Sequence, residues 1–196
     1  MVDSSADPVL LHAARRAFER YGYNGATLER IAAEAGLSRV TLHRRGVTKD
    51  GLLAELVARA TDDYRRLLWP ALTADGTGAE RLAVALAALC EAAEQHMPLL
   101  LALRAQSDSI FHRRDEPEGL TRTVFTEPLE RLLRDGIADG SLRDVEPAET
   151  ATVLFNMVGW TYIHLRTGHG WNPNRARTAT LDAVLRGLLT GVGQPT

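Results

Sequence analysis

The sequence predicts an all-α protein, in which an N-terminal three-helix, helix-turn-helix domain precedes a larger domain of six helices. Patterns typical of β-strands are nearly absent, and apolar residues recur every three or four positions along the 196 residues. Capping residues or prolines stand where the apolar segments begin, and glycines often stand where they end. The segment from Gly36 to Lys49 also carries four basic residues and no acidic residue. Together these features favour a small cationic head followed by a longer helical body.

The first helix is predicted to begin at Pro8, with Asp7 as its cap, and to end at Gly22. An aspartate cap accepts a hydrogen bond from a free amide, and proline suits the first helical position because no N–H is needed there. The residues expected on its buried face are Leu10, Ala14, Ala17, Phe18 and Tyr21. They recur at the spacing of one face of an amphipathic helix.

Two short helices and a tight turn are predicted next. The inward residues expected on the second helix, which Thr27 caps, are Leu28, Ile31, Ala32 and Ala35. Gly36 is expected to turn the chain, and Ser38 to cap the third helix. Leu42 is expected to point inward, and Gly46 suits the left-handed residue that ends a helix. A helix of this size fits the major groove of DNA.

Six longer helices are predicted after this head, and the first of them runs from about Lys49 to Leu72 with Thr48 as its cap. The others are expected to cover about 79–96, 98–109, 117–139 and 147–167, and the last begins at Pro173 and frays beyond 190. Pro128 is expected to kink the seventh helix because it removes an internal hydrogen bond.

Charge is distributed unevenly along the chain, although the net charge is only −2. Residues 1–50 hold eight basic and six acidic side chains, whereas residues 51–196 hold fifteen and nineteen. A weakly basic head on an acidic body suits local contact with DNA rather than binding over the whole surface. Ordinary scatter of surface charge is the alternative explanation.

The sequence predicts a cytoplasmic protein. Cys90, the one cysteine, lies in an apolar run and is expected to be buried as a small hydrophobe. No intramolecular disulfide can form, which is consistent with a reducing compartment. The first residues lack the basic and apolar segments of a signal peptide, and no uncharged apolar run approaches the ~18 residues that span a membrane.

Five segments of the head follow a continuous family spacing: they are Ala14–Tyr23, Ala26–Thr27, Ile31–Ser38, Thr41–Leu42 and Lys49–Leu53. On these residues the chain resembles the tetracycline-repressor (TetR) family of transcription factors. The resemblance implies a homodimeric regulator with a DNA-binding domain at residues 1–48 and a ligand-binding and dimerisation domain at residues 49–196. It also implies a repressor that a small apolar or amphipathic molecule releases from a palindromic operator.

The exposed face of the third helix is expected to enter the major groove. Arginine can pair bidentately with guanine, and the methyl groups of valine and threonine can touch the methyl group of thymine. The amides at the start of the second helix, and Lys49, are expected to hold phosphates. The predicted DNA-binding residues are Thr27, Ser38, Arg39, Val40, Thr41, His43, Arg44, Arg45 and Lys49. Each arginine taken alone is equally consistent with a solvated surface charge.

Three positions depart from the family pattern, which usually has tyrosine at His43, histidine or tyrosine at Arg45 and phenylalanine at Gly46. We expect His43 to donate to phosphate with a pH dependence near neutrality. Arg45 is expected to add a phosphate contact, and Val47 to fill the space of the missing phenylalanine. Alternatively the head is loosely packed or reads DNA poorly, and the chain is a helical dimer that serves as a ligand-binding or protein-interaction module.

The resemblance also implies a small-molecule cavity among helices four to seven and a dimer interface on the last two helices. The residues expected at the cavity are Trp69, Met97, Leu101, Gln106, Phe111, Phe125, Phe155, Asn156, Trp160 and Tyr162. The residues expected at the interface are Leu154, Val158, Leu165, Leu181, Val184 and Leu188. The alternative for both sets is that they fill the core of a single chain.

An enzyme is not expected, and neither a cofactor nor a metal site is predicted. The six histidines are scattered, and no Glu-x-x-His pair provides the spacing of a di-iron or zinc site on a helix. The sequence also lacks a glycine-rich loop of the Walker or dinucleotide-binding type. Cys90 lies in an apolar run, which is a poor environment for a reactive thiolate.

Overall fold

Nine α-helices and one π-helical turn form the regular structure in the computed structural model, which describes residues 7–104 and 122–188. The helices are α1 (Pro8–Gly25), α2 (Leu28–Glu34), α3 (Arg39–Arg44), α4 (Lys49–Thr73), α5 (Gly78–Gln95), α6 (Met97–Arg104), α7 (Glu127–Ala138), α8 (Pro147–Thr167) and α9 (Pro173–Arg186). No β-strand occurs in these ranges, so the predicted all-α class is confirmed. The predicted end of the sixth helix and start of the seventh lie outside the described residues.

The predicted caps begin the first three helices. The carboxylate of Asp7 accepts from the Val9 amide at 3.0 Å, and the hydroxyl of Ser38 accepts from the Thr41 amide at 3.1 Å. Each bond satisfies an amide that has no partner inside its helix. The predicted end of α1 at Gly22 is instead a kink with φ of 65°, after which the helix continues to Gly25.

The first compact unit comprises, of the described residues, 7–62 and 96–104. Its core is apolar, and its most deeply buried members include Leu10, Phe18, Ile31 and Leu42. The prediction that Tyr21 is buried is wrong, because its ring lies on the surface under the Arg30 guanidinium, 4.5 Å from the ring centroid. A planar cation can stabilise a partly exposed ring in this way.

The second compact unit comprises residues 63–95 and 122–188 of the described chain, and α5 packs there against α7, α8 and α9. At the contact between α5 and α7 the two backbones touch. A Cβ atom added at Gly78 would lie 2.1 Å from the amide nitrogen of Gly136. The Gly78 amide donates to Asp139 at 2.6 Å, and Arg81 forms an ion pair with Asp135 at 2.7 Å. Glycine therefore sets the separation of these two helices.

Pro128 lies in the first turn of α7, which begins at Glu127 directly after a π-helical turn at Arg122–Thr126. The backbone of Thr126, at the junction, is in the right-handed helical region with φ of −103° and ψ of −36°. Because the residues directly before Arg122 lie outside the described ranges, the kink of a continuous seventh helix at Pro128 stays a prediction.

No described helix has both the length and the hydropathy that crossing a membrane requires.

We predict that Gly78→Ala destabilises the protein. The added methyl group meets the backbone of Gly136 rather than a flexible side chain, so we expect the free energy of unfolding to fall by about 1–3 kcal/mol or more. The control is Gly187→Ala, because Gly187 is exposed and has ordinary helical φ and ψ of −75° and −15°. Chemical denaturation measures both; equal stability of the two variants would contradict the close approach.

Candidate functional site

The turn between α2 and α3 holds α3 at a fixed rotation. Gly36 adopts φ of 68°, a left-handed conformation that glycine reaches without a steric penalty. The Leu37 amide then donates to the Ala32 carbonyl at 2.9 Å, which closes the turn. Leu42 is fully buried, whereas Val40 is 76% exposed. Burial of Leu42 therefore directs the opposite face of this six-residue helix outward.

The exposed face of α3 presents both basic and apolar side chains. Arg39, Val40, His43 and Arg44 are exposed; their contact with DNA stays a prediction. Arg44 makes no ion pair or hydrogen bond within the described ranges, so its guanidinium is available to a ligand. Thr41 is half-buried, and its hydroxyl lies 2.9 Å from that of Ser38, so these two predicted DNA-binding groups also cap the helix.

Arg39 is paired with an acidic side chain that the sequence did not single out. Its Nη1 lies 2.8 Å from Oε1 of Glu29. Glu29 belongs to the first turn of α2, and hydrogen bonds from its own amide and from the Thr27 hydroxyl lower its carboxyl pKa. A carboxylate thus occupies the helix end that was expected to hold a phosphate. The charge spacing in the sequence does not reveal this pair, because it joins two helices across a turn.

Lys49 is held against the end of α1 rather than extended into solvent. Its ammonium donates to the Tyr23 carbonyl at 3.1 Å and lies 4.0 Å from the centroid of the Tyr23 ring. The Tyr23 hydroxyl donates to Asp50, and burial together with this carboxylate raises the pKa of Tyr23 to about 12. The three residues brace the start of α4, and the phosphate contact expected of Lys49 stays a prediction.

At the departures from the family pattern, Gly46 lies on the surface of the first unit and Val47 lies against its core. Gly46 has φ of 66°, is exposed, and would place a Cβ atom with nothing within 4 Å. Val47 packs against the apolar core, as predicted. The Arg45 guanidinium is half-exposed and lies 3.9 Å from the carboxylate of Asp7. A phosphate contact by Arg45 therefore competes with a weak ion pair.

In the second unit, two of the predicted ligand residues form an aromatic cluster with a tyrosine. The rings of Tyr64 and Phe125 stack with centroids 5.6 Å apart, and Phe125 and Phe155 lie 5.2 Å apart. Tyr64 is buried, and its hydroxyl has no hydrogen-bond partner among the described residues. Burial raises the pKa of Tyr64, so the phenol stays neutral. An unpaired buried hydroxyl is costly unless a ligand or water satisfies it.

Tyr162, another predicted ligand residue, is committed to an internal network. Its hydroxyl donates to Glu94 at 2.8 Å, and Arg166 binds both oxygens of the same carboxylate at 2.8 Å. Bidentate pairing of this kind is strong and geometrically specific, and it lowers the pKa of Glu94. The network connects α5 to α8, so Tyr162 stabilises the fold and its hydroxyl is not free to orient a ligand.

The remaining predicted ligand residues differ in their exposure to solvent. Trp69 is 65% exposed, Leu101 is exposed, and Asn156 is exposed on α8 and donates to the Thr152 carbonyl. Met97 and Leu101 belong to the first compact unit, whereas Trp160, which is half-buried, belongs to the second. Gln106 and Phe111 lie outside the described residues. Helical spacing located apolar faces correctly but did not identify which neighbour covers each face.

Most residues predicted at the dimer interface face the interior of the single chain. Leu154, Val158, Val184 and Leu188 are buried within the protomer, and Leu165 and Leu181 are half-buried. The prediction is wrong for the four buried residues, because α5 and α7 already cover that side of α8 and α9. The exposed apolar side chains of α8 are instead Val153 (58% exposed) and Met157 (44% exposed).

Cys90 is buried, as predicted, and burial raises the pKa of its thiol to about 12. The rings of His164 and His169 meet edge to face with centroids 5.0 Å apart. Across residues 7–104 and 122–188, no group of three or more histidine, cysteine, aspartate or glutamate side chains is placed to hold a metal ion.

Two family models match the sequence. Residues 10–56 match the model described as bacterial regulatory proteins of the tetR family, and residues 75–188 match the tetracyclin repressor-like C-terminal domain. No curated protein gives a significant match to the sequence.

Several solved structures share the fold. The TetR family transcriptional regulator PfmR from Thermus thermophilus is 23% identical, with a TM-score of 0.76 over 92% of this chain and 98% of that one. A TetR-like transcriptional regulator from a Rhodococcus species is 20% identical, with a TM-score of 0.70 over 91% and 93%. AibR, in complex with isovaleryl coenzyme A and operator DNA, is 18% identical, with a TM-score of 0.68 over 89% and 95%.

We predict that Gly46→Phe lowers the stability of the protein. A phenylalanine there must adopt a left-handed conformation, which costs roughly 1–2 kcal/mol, and its side chain starts in open space. Gly46→Asn is the matched control, because asparagine tolerates this conformation better than other residues. Thermal unfolding of both variants tests the prediction; a large gain in stability for Gly46→Phe would mean that the core is underfilled.

Proposed function

The chain belongs to the TetR family of bacterial transcriptional regulators and has a C-terminal ligand-binding domain, and we propose that it is a homodimeric repressor. Residues 1–48 form its DNA-binding domain, and residues 49–196 bind a small effector and the second copy. Each protomer reads one half of a palindromic operator with α3, and the effector releases the DNA.

The outward face of α3 is the observation that carries this proposal. Burial of Leu42 turns Val40 and the unpaired Arg44 toward solvent. Their chemistry suits the major groove, where arginine binds the O6 and N7 atoms of guanine and an apolar side chain contacts the methyl group of thymine. Together with His43, Arg45 and Lys49, these residues give the head a cationic surface at the place where a groove-reading helix is presented.

Dimerisation is proposed through the exposed faces of α8 and α9. Val153 and Met157 are exposed one helical turn apart on α8, and Ala179 and Ala183 are exposed one turn apart on α9. Small side chains allow helices to approach closely, and burial of large apolar side chains against a partner stabilises a dimer. A twofold dimer matches the symmetry of a palindromic operator, whose half-sites lie about one helical turn of DNA apart, ~34–36 Å, or somewhat more.

The effector site is proposed beside the cluster of Tyr64, Phe125 and Phe155. The aromatic rings favour an apolar moiety, and the unpaired Tyr64 hydroxyl favours one polar group on the ligand, so the effector is amphipathic. Isovaleryl coenzyme A, the ligand of AibR, has this general character. The helix α4 carries both Lys49 and Tyr64, so a ligand that shifts α4 would also move the start of this helix.

We predict that the protein enriches a palindrome from a library of random-sequence DNA duplexes. Arg44→Ala should weaken binding to the enriched sequence by roughly 5- to 150-fold, the range for loss of a bidentate contact with a base. The matched control is Arg59→Ala, since Arg59 is an exposed arginine of α4 paired with Glu55. No enrichment by an intact dimer would favour the alternative function, a ligand-binding or protein-interaction module with a decayed reading head.

We predict that the amphipathic fluorophore 1-anilinonaphthalene-8-sulfonate binds the folded protein saturably. Tyr64→Phe should weaken this binding about two- to tenfold, as expected for loss of one hydrogen bond. Tyr21→Phe is the matched control, because it removes an exposed phenolic hydroxyl in the first unit. Fluorescence titration measures the affinities; an unchanged affinity in Tyr64→Phe would contradict the proposed anchoring group.

A further inference from the structure

The two arginines of α3 that begin and end its exposed face differ in their surroundings. Arg44 has no partner within the described ranges, whereas Arg39 lies 2.8 Å from Glu29 of α2. Both members of this pair are largely exposed, with side chains 69% and 52% accessible. Such an exposed ion pair contributes little to stability, so its significance lies elsewhere. We propose that Glu29 orients Arg39 for one base of the operator and is thereby a specificity-determining residue.

Glu29 is the fixed member of the pair. It lies in the first turn of α2, where the partial positive charge of the helix end favours a carboxylate. Hydrogen bonding from its own backbone and from the Thr27 side chain also lowers the pKa of the Glu29 carboxyl. Arg39 is the long, flexible member, and an unpaired arginine loses side-chain entropy when it is ordered. Contact with Glu29 restricts the arginine before DNA arrives, which is the effect of preorganisation.

The geometry leaves part of the guanidinium free. The ion pair joins Nη1 of Arg39 to Oε1 of Glu29, and the Nη2 and Nε donors of Arg39 make no hydrogen bond within the described residues. Two donors are sufficient for the O6 and N7 atoms of guanine. Exclusion of water at a protein–DNA interface also lowers the local dielectric and strengthens the pair. Glu29 can therefore hold Arg39 while Arg39 holds a base.

The same carboxylate disfavours indiscriminate binding. Glu29 places a negative charge beside the cationic face of α3, where it repels the phosphates of any DNA duplex. Removing the charge should strengthen binding to arbitrary duplexes and weaken discrimination among them. If Glu29 only stabilised the fold, its loss would lower both the affinity for arbitrary duplexes and the discrimination among them. It would not raise one and lower the other. This inference depends on the proposed function, since it requires that α3 reads DNA.

The test applies the random-duplex selection to the full-length wild type and to the variants Glu29→Gln, Arg39→Ala and Arg39→Lys. The wild type should show a guanine preference of roughly 5- to 150-fold at one position of each half-site, and Arg39→Ala should abolish it. Glu29→Gln should reduce that preference roughly two- to fivefold, the range that an exposed ion pair supplies. Arg39→Lys should also lose the preference while keeping the charge, because lysine lacks the planar fork.

The matched control is Glu19→Gln, which removes the same charge from the pair between Arg15 and Glu19 within α1. Glu19→Gln should leave the guanine preference unchanged, and Glu29→Gln should bind a scrambled duplex more tightly than the wild type. An unchanged guanine preference in Glu29→Gln would overturn the inference. Loss of a cytosine preference in Glu29→Gln but not in Arg39→Ala would also overturn it, because Glu29 would then read a base itself. Failure of the wild type to select any sequence would instead overturn the proposed function.

Discussion

The rotation of α3 depends on the burial of one side chain, Leu42. In a helix of six residues, a single inward contact determines which side chains face solvent. Gly36 turns the chain into this helix, and Ser38 satisfies the free amide of Thr41 at its start. Together these features place a cationic surface outward without any contribution from the cationic residues themselves. The family to which the chain belongs uses such a helix to read DNA. In this chain the burial of Leu42, the turn at Gly36 and the cap at Ser38 present that helix to solvent.

The cations of the head are not equivalent. Lys49 braces α4 against Tyr23, Arg39 is paired with Glu29, and Arg44 remains unpaired in the described structure. The difference depends on the groups that each cation contacts rather than on its solvent exposure alone. Lys49 positions the start of α4, Arg39 is paired with a carboxylate, and Arg44 is available for contact with a ligand. Net charge near zero is compatible with DNA binding, because the cations that we propose to contact DNA are concentrated on one short surface.

The sequence predicted local structure better than it predicted contacts between residues that are distant in the sequence. Caps such as Asp7 and Ser38, and the left-handed Gly36 and Gly46, depend on interactions within a few residues, and the structure confirms them. The surroundings of other residues depend on distant elements. Tyr162 is bound to Glu94, 68 residues away in sequence, and Leu154 faces helices of its own chain rather than a second copy. Helical spacing defines the faces of a helix but not their partners, so the aromatic cluster around Tyr64 and the pair of Glu29 with Arg39 became visible only in three dimensions.

We propose that the exposed face of α3 lies in the major groove of DNA. Protection of guanine N7 from methylation by dimethyl sulfate reports on this placement, because N7 is exposed only in that groove. On a duplex enriched by the protein, we expect protected guanines in two half-sites about one helical turn apart, and loss of protection with Arg44→Ala. If the wild-type protein binds the enriched duplex tightly but leaves every guanine N7 reactive, α3 does not lie in the major groove.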